Sequence, residues 1–145
     1  MKKIYSKVEP GVLLHLIHTL EDIQNEPDSP TAQLARINVA PNEEFLQLAS
    51  LRMGAGKTFK PHKHIYKKGK EEVIAQESWV VIKGGVEAIL YDLDDSILEI
   101  IQLGEGDCSM TFHGGHNYLI TKDNTVVYEY KTGPYTGIEN DKVFI

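Results

Sequence analysis

Cysteine is almost absent from this chain: Cys108 stands alone among 145 residues. A single thiol closes no internal disulfide, so stability has to come from a buried core, and a reducing, cytoplasmic compartment is expected. Long apolar runs are missing as well. A bilayer span needs about 18–20 consecutive apolar residues, and no stretch approaches that, so no membrane partner is expected. The segment GVLLHLI, behind Lys2 and Lys3, imitates a secretory signal. His15 and His18 interrupt it, no small-residue cleavage site follows closely, and it reads as part of the folded domain.

Basic charge is in deficit: 15 Lys and Arg face 21 Asp and Glu, a formal net charge of −6. Nucleic acid selects the opposite kind of surface, so that class of partner is excluded as the main business. Internal repeats and low-complexity tracts are also missing. What remains is an ordinary balance of 41% hydrophobic and 25% charged residues. At this length it suits one domain, residues 1–145, with a real core.

Along the chain, residues 12–20 are ambiguous. Leu13, Leu16, Ile17 and Leu20 fit a helical stripe behind Pro10, and the same letters fit a short buried strand. IQNEPDSPTAQ, with Pro27 and Pro30, reads as a surface loop. From Phe45 the texture turns to period two. FLQLASLRM reads as a strand in which Leu46, Leu48 and Leu51 compete with Phe45, Ala49 and Met53 for the buried face. Short strands are predicted over 58–65, 78–82, 86–92, 97–103, 108–112, 117–121 and 125–131, separated by Gly and Asp turns. YKKGKEE, after the first of these, reads as a solvated tip. Many short strands at close spacing indicate an all-β sandwich or barrel with its core at about 45–131. The tail 132–145, with Gly133, Pro134 and Gly137, is expected to be an arm and a candidate contact for a homodimer.

The chemistry concentrates between Gly56 and Gly84. His62 and His64 stand two apart in a strand-like stretch, so both imidazoles leave one face. Thirteen residues later Glu77 opens the apolar run SWVVI, and a third imidazole follows at His116 in GDCSMTFHGGHN. Three imidazoles and a carboxylate on short strands are a plausible first shell for a divalent transition metal. By period two, Trp79 and Val81 face the same way as Glu77, and Tyr118 and Ile120 the same way as His116. Trp79 and Tyr118 are then either core filler or a platform for a sugar ring. Tyr118 is also a candidate acid or base, provided its pKa is lowered from about 10. Arg52, Lys57, Lys60 and Lys63 supply positive charge near the expected mouth, with Lys60 the candidate ligand contact. His15 and His18 read as structural, and Cys108 as a small buried hydrophobe.

Gly56, five residues and then His62-Lys63-His64 resembles the first half of the first cupin motif, and Glu77, six residues and then Gly84 its second half. Gly106-Asp107 leading to Gly114-Gly115-His116-Asn117 resembles the second motif. The resemblance implies a jelly-roll β-barrel in which His62, His64, Glu77 and His116 bind a metal. It departs from the pattern in three places. The interval from His64 to Glu77 is long, which leaves Glu71 and Glu72 as competing carboxylates. Phe112 stands near the usual proline, and the run before His116 is one residue short, which leaves His113 as an alternative.

QESWVVIKG and FHGGHNY also resemble small bacterial cupins found among surface-polysaccharide or sugar-nucleotide genes. That implies a small polar substrate, such as a sugar or sugar nucleotide, and a metal-dependent isomerase or epimerase, or a dioxygenase. The metal itself is open between Fe, Mn, Ni and Zn. A non-catalytic small-ligand-binding or sensing module is the alternative, since fold alone does not choose. A metal-free epimerase fits least, because its usual histidine–aspartate base is not evident.

Overall fold

The computed structural model describes residues 1–30, 34–67 and 73–145. Two antiparallel five-stranded sheets face one another. The first runs β3 (Leu34–Asn38), β4 (Leu46–Met53), β11 (Thr125–Thr132), β6 (Glu77–Lys83), β9 (Cys108–Thr111). The second runs β12 (Lys142–Phe144), β5 (His62–His64), β10 (Gly115–Ile120), β7 (Gly85–Tyr91), β8 (Ile97–Gly104). From β4 onward the chain crosses between the sheets at every step except the β7–β8 hairpin, the jelly-roll way of burying two apolar faces against each other.

Period-two alternation fills the space between them. Ala49, Leu51 and Met53 from β4, Trp79 and Val81 from β6, and Val127 from β11 meet Val86, Ala88, Tyr118 and Ile120 from the other sheet. Six of these inward residues, Leu51, Val81, Val86, Ala88, Ile120 and Val127, expose no more than 1% of their surface. The expected alternation on β6 and β10 is what the structure shows. On β4 the buried set is Ala49, Leu51 and Met53, while Phe45 and Leu46 are exposed. Leu51 shares parity with Ala49 and not with Leu46, and a strand cannot turn both parities to one core.

Residues 12–20 resolve as a strand followed by a helix start. β2 (Leu13–Ile17) pairs with β1 (Lys2–Tyr5), and α1 (Leu20–Gln24) begins behind Thr19. Thr19 and Asp22 form a reciprocal capping box, which satisfies the first backbone donors of a helix only five residues long. Ile23 of α1 packs with Ala35 and Val126 on the outer face of the first sheet. His18 lies edge-on to Tyr128, with ring centroids 5.6 Å apart, the structural role expected of it.

Gly84 turns the chain from β6 into β7 with φ +93°, and a Cβ there would lie 2.8 Å from the Thr125 Cα. Only glycine makes that corner without displacing β11. Two expectations need correction. Cys108 is exposed, because on β9 it shares parity with the exposed Met110 and faces away from the core, while Thr111 on the other parity is buried. The tail from Gly133 is no detached arm: β12 is a strand of the second sheet, paired to β5 through Lys142–His64 and Phe144–His62. β3 and β12 thus complete the two sheets from outside residues 45–131. Of the charged segment YKKGKEE only residues 66 and 67 are described, with Tyr66 bridged to Ile74. Glu71 and Glu72 lie outside the described residues. Among the described residues no helix is long and apolar enough to cross a membrane.

Candidate metal centre

Strand pairing assembles the four residues singled out in the sequence. His62 and His64 occupy alternate positions of β5 and point inward, and β10 lies beside β5 with His116 directly opposite His62. Glu77 comes from the facing sheet, at the start of β6. All four are buried, and their ligand atoms lie within 4.8 Å of one another. That is close to the span set by a shared ion with bonds of about 2.0–2.2 Å. His113 is exposed in the turn before β10, so the geometry selects His116. Gly114, with φ +81°, makes that turn.

The imidazoles are held from behind. His62 Nδ1 donates to the Lys60 carbonyl at 3.0 Å, and His64 Nδ1 to the Asp141 carbonyl at 3.1 Å. His116 Nδ1 is 3.1 Å from the Thr111 hydroxyl, which can accept or donate and so supports either tautomer. Each Nδ1 being engaged, each Nε2 is left for the centre. His116 Nε2 is 3.1 Å from Glu77 Oε1, and the Trp79 indole N–H donates to the same oxygen at 3.1 Å. His64 Nε2 lies 3.3 Å from Glu77 Oε2 yet makes no hydrogen bond while fully buried. Such an orphaned nitrogen facing a carboxylate between two other imidazoles is a donor set that fits a divalent cation.

Charge in the cluster is uneven. Burial disfavours a proton on His62, and the nearby Lys142 and His116 add to this, lowering its pKa to about 4. Burial lowers His64 too, but the carboxylates of Asp141 and Glu77 beside it outweigh this and raise its pKa to about 9. Burial works against the ionised Glu77, yet the hydrogen bond from His116 and the nearby His64 ring hold its pKa well below the usual carboxylate range. His64 therefore carries a proton at pH 8 in the metal-free chain, and a coordinating imidazole cannot keep it. Binding of a divalent ion is expected to release close to one proton per chain at pH 8, and less as pH rises through 9. Calorimetric titration in buffers of different ionisation enthalpy reads this directly, and no release at pH 8 would contradict it.

Asp141 was not anticipated from the sequence. It is 1% exposed and collects three cations: His64 Nδ1 at 3.4 Å, Lys131 Nζ at 3.0 Å and Lys67 Nζ at 3.5 Å. Burial alone would raise its pKa, but His64 and Lys131 hold it far below the usual range. Lys142 was missed as well, and its Nζ lies 3.0 Å from His62 Nε2. Both sit in a three-residue strand or its lead-in, behind a Gly-Pro stretch that carries no strand signal.

A cavity of about 420 Å³ opens beside the cluster, and His62, Glu77, Trp79, Tyr118 and Lys60 all line it. Trp79 and Tyr118 stack on one another, with centroids 4.1 Å apart and planes 14° from parallel, and each is 2% exposed. They belong to the core and present it as a wall. Tyr118 bonds the Ser109 hydroxyl at 2.8 Å, and burial together with Glu77 pushes its pKa up, the wrong direction for an acid or base near neutrality. Of the expected cations only Lys60 lines this cavity. Lys63 pairs with Asp95 at 2.5 Å, and Arg52 with Asp28 at 3.0 Å. Arg36, from the unanticipated β3, also lines the cavity and is forked onto Glu129 at 2.7 and 3.4 Å.

No sequence-family model matches this chain, and no curated protein matches it. Solved structures do. KdgF from Halomonas sp. aligns over 75% of this chain and 87% of its own, with 17% identity and a TM-score of 0.58. A cupin superfamily protein from Desulfitobacterium hafniense aligns over 73% and 83%, with 10% identity and a TM-score of 0.52. The capsular polysaccharide assembling protein CapF from Staphylococcus aureus aligns over 81% of this chain but 33% of its own, with 15% identity and a TM-score of 0.64. At these identities the likeness is one of fold.

Proposed function

The chain has the cupin fold, and on that premise we propose that it is a metal-dependent enzyme acting on a small polar molecule such as a sugar. The observation that carries the reading is the buried cluster of His62, His64, Glu77 and His116, two of whose members, His62 and Glu77, line a cavity. Those four residues would hold the ion, which when bound polarises a carbonyl or hydroxyl oxygen of the substrate. Lys60, Asp141 and Thr111 fix the imidazoles through their Nδ1 atoms, and Trp79 fixes the Glu77 carboxylate. The aromatic wall excludes water from one side of the cavity. A volume of about 420 Å³ suits a monosaccharide-sized molecule, and lies in the range of small-molecule sites. Capsular polysaccharide assembly, named for CapF, supports a sugar as the substrate class.

One feature favours the alternative of a non-catalytic binding module. Arg36 and Lys131 at the cavity are already paired with Glu129 and Asp141, and the Tyr118 phenol is locked. The two readings separate when cobalt-loaded protein is mixed with neutral and charged monosaccharides. A change in the cobalt absorption with conversion of the sugar, followed by proton NMR, supports the enzyme. A change without conversion supports the binding module, and no change with any sugar rejects sugars as the ligand class.

A further inference from the structure

Lys142 occupies an unusual position for an amine. His62 Nδ1 is committed to the Lys60 carbonyl, so the lone pair on Nε2 is the acceptor that Lys142 Nζ meets at 3.0 Å. That lone pair is the one His62 would give to a metal, and one lone pair cannot serve both. Once it is committed to the ion, Lys142 is left at the edge of the cavity without its acceptor. Among the described residues no carboxylate lies within 4.0 Å of Lys142 or of Lys60, whereas Arg36, Lys63, Lys67 and Lys131 each have one. Lys60 lines the same cavity, its ammonium 5.4 Å from the centre of the Phe144 ring, and Phe144 pairs with His62.

Resting on the metal-site reading above, we propose that Lys142 and Lys60 form an anion seat beside the metal. The molecule bound there is a small organic anion, with a carboxylate or phosphate group on the two amines and a polar oxygen toward the ion. The chemistry of the seat is shared by both kinds of anion. Two ammonium groups unmatched by carboxylates in a half-buried cavity leave a local positive charge that an anionic ligand neutralises. The overall charge of −6 makes this placement more selective, since the rest of the surface repels such ligands.

The test is a calorimetric titration of glucuronate, glucose 1-phosphate and glucose into the parent, Lys142→Met and Lys142→Arg proteins. Each is run with and without Mn(II), with bound metal measured in parallel. The expected result is that one or both anions bind the metal-loaded parent at least tenfold tighter than glucose. Lys142→Met should lose that preference while retaining its metal, and Lys142→Arg should keep most of it. Which anion binds decides between carboxylate and phosphate. A parent that binds neither anion better than glucose, or a Lys142→Met protein that keeps the preference, overturns the anion seat. A parent that takes up no Mn(II) overturns the metal-site reading, and the seat falls with it, because Lys142 then stays on His62 Nε2.

Discussion

His62→Ala and His64→Ala are each expected to abolish stoichiometric metal retention while leaving a folded β-protein. Both imidazoles project from a strand of three residues, and no other histidine among the described residues stands near enough to replace one. Their side chains belong to the metal cluster and not to the packed apolar set, so truncation removes a ligand without opening the core. Deleting one imidazole removes its bond to the ion from the total binding free energy, and dialysis against a competing chelator turns that loss into loss of the metal. Glu77→Gln alters a ligand without deleting it, and is expected to weaken retention less completely. Dialysis against chelator followed by elemental analysis, with circular dichroism as the folding control, makes the comparison. Parent-like metal content in both histidine variants would remove these residues from the site.

Asp141→Ala is expected to destabilise the protein by about 3–5 kcal/mol, the usual result of breaking a buried charge network from one side. The carboxylate is the only acid recorded for Lys67 and Lys131 among the described residues, and both amines stay largely buried without it. The same change takes the Asp141 side chain from His64 Nδ1 and removes its share in raising the His64 pKa. Metal affinity should fall by less than the roughly 10–100-fold seen when the partner behind a ligating histidine is lost, because the backbone carbonyl of residue 141 that His64 Nδ1 meets survives the substitution. Proton release on metal binding at pH 8 should fall with it, because His64 then titrates lower. Urea unfolding of the metal-free protein gives the first number. A loss under about 1 kcal/mol would mean that the three cations find other partners.

Much of this centre is legible in the sequence because strands have a strict period. Once Glu77 faces inward, Trp79 and Val81 must follow, and once His116 does, Tyr118 and Ile120 must. Gly114, with positive φ, marks the corner that leads into β10 at the His116 end, while Gly84 turns β6 into β7 at the far end. Legibility fails where long-range pairing, and not local pattern, makes the structure. Lys142–Phe144 has three residues and no alternation to read, and it is a strand only because β5 offers it an edge. Asp141 and Lys142 are therefore invisible until the sheet is assembled, although one carries the buried charge network and the other touches a ligand nitrogen. β3 was hidden in the same way, and with it Arg36. On β4 two leucines of the wrong parity, Leu46 and Leu48, diluted the signal of the buried Ala49, Leu51 and Met53. Cys108 shows the complementary failure. A strand residue is buried only if its face is covered, and the letters CSMT do not say which parity of β9 turns to the core.

The most direct test of the central claim is metal analysis of the protein purified without chelator and without an affinity-tag metal, joined to X-ray absorption at the edge of the metal found. The account predicts about one divalent transition metal per chain, with a first shell dominated by histidine nitrogen and carboxylate oxygen and no sulfur. A chain that carries no metal after purification, and takes up none from Fe(II), Mn(II), Ni(II) or Zn(II), would contradict it. His62, His64, Glu77 and His116 would then be a buried hydrogen-bonded cluster in a cupin fold that works without an ion.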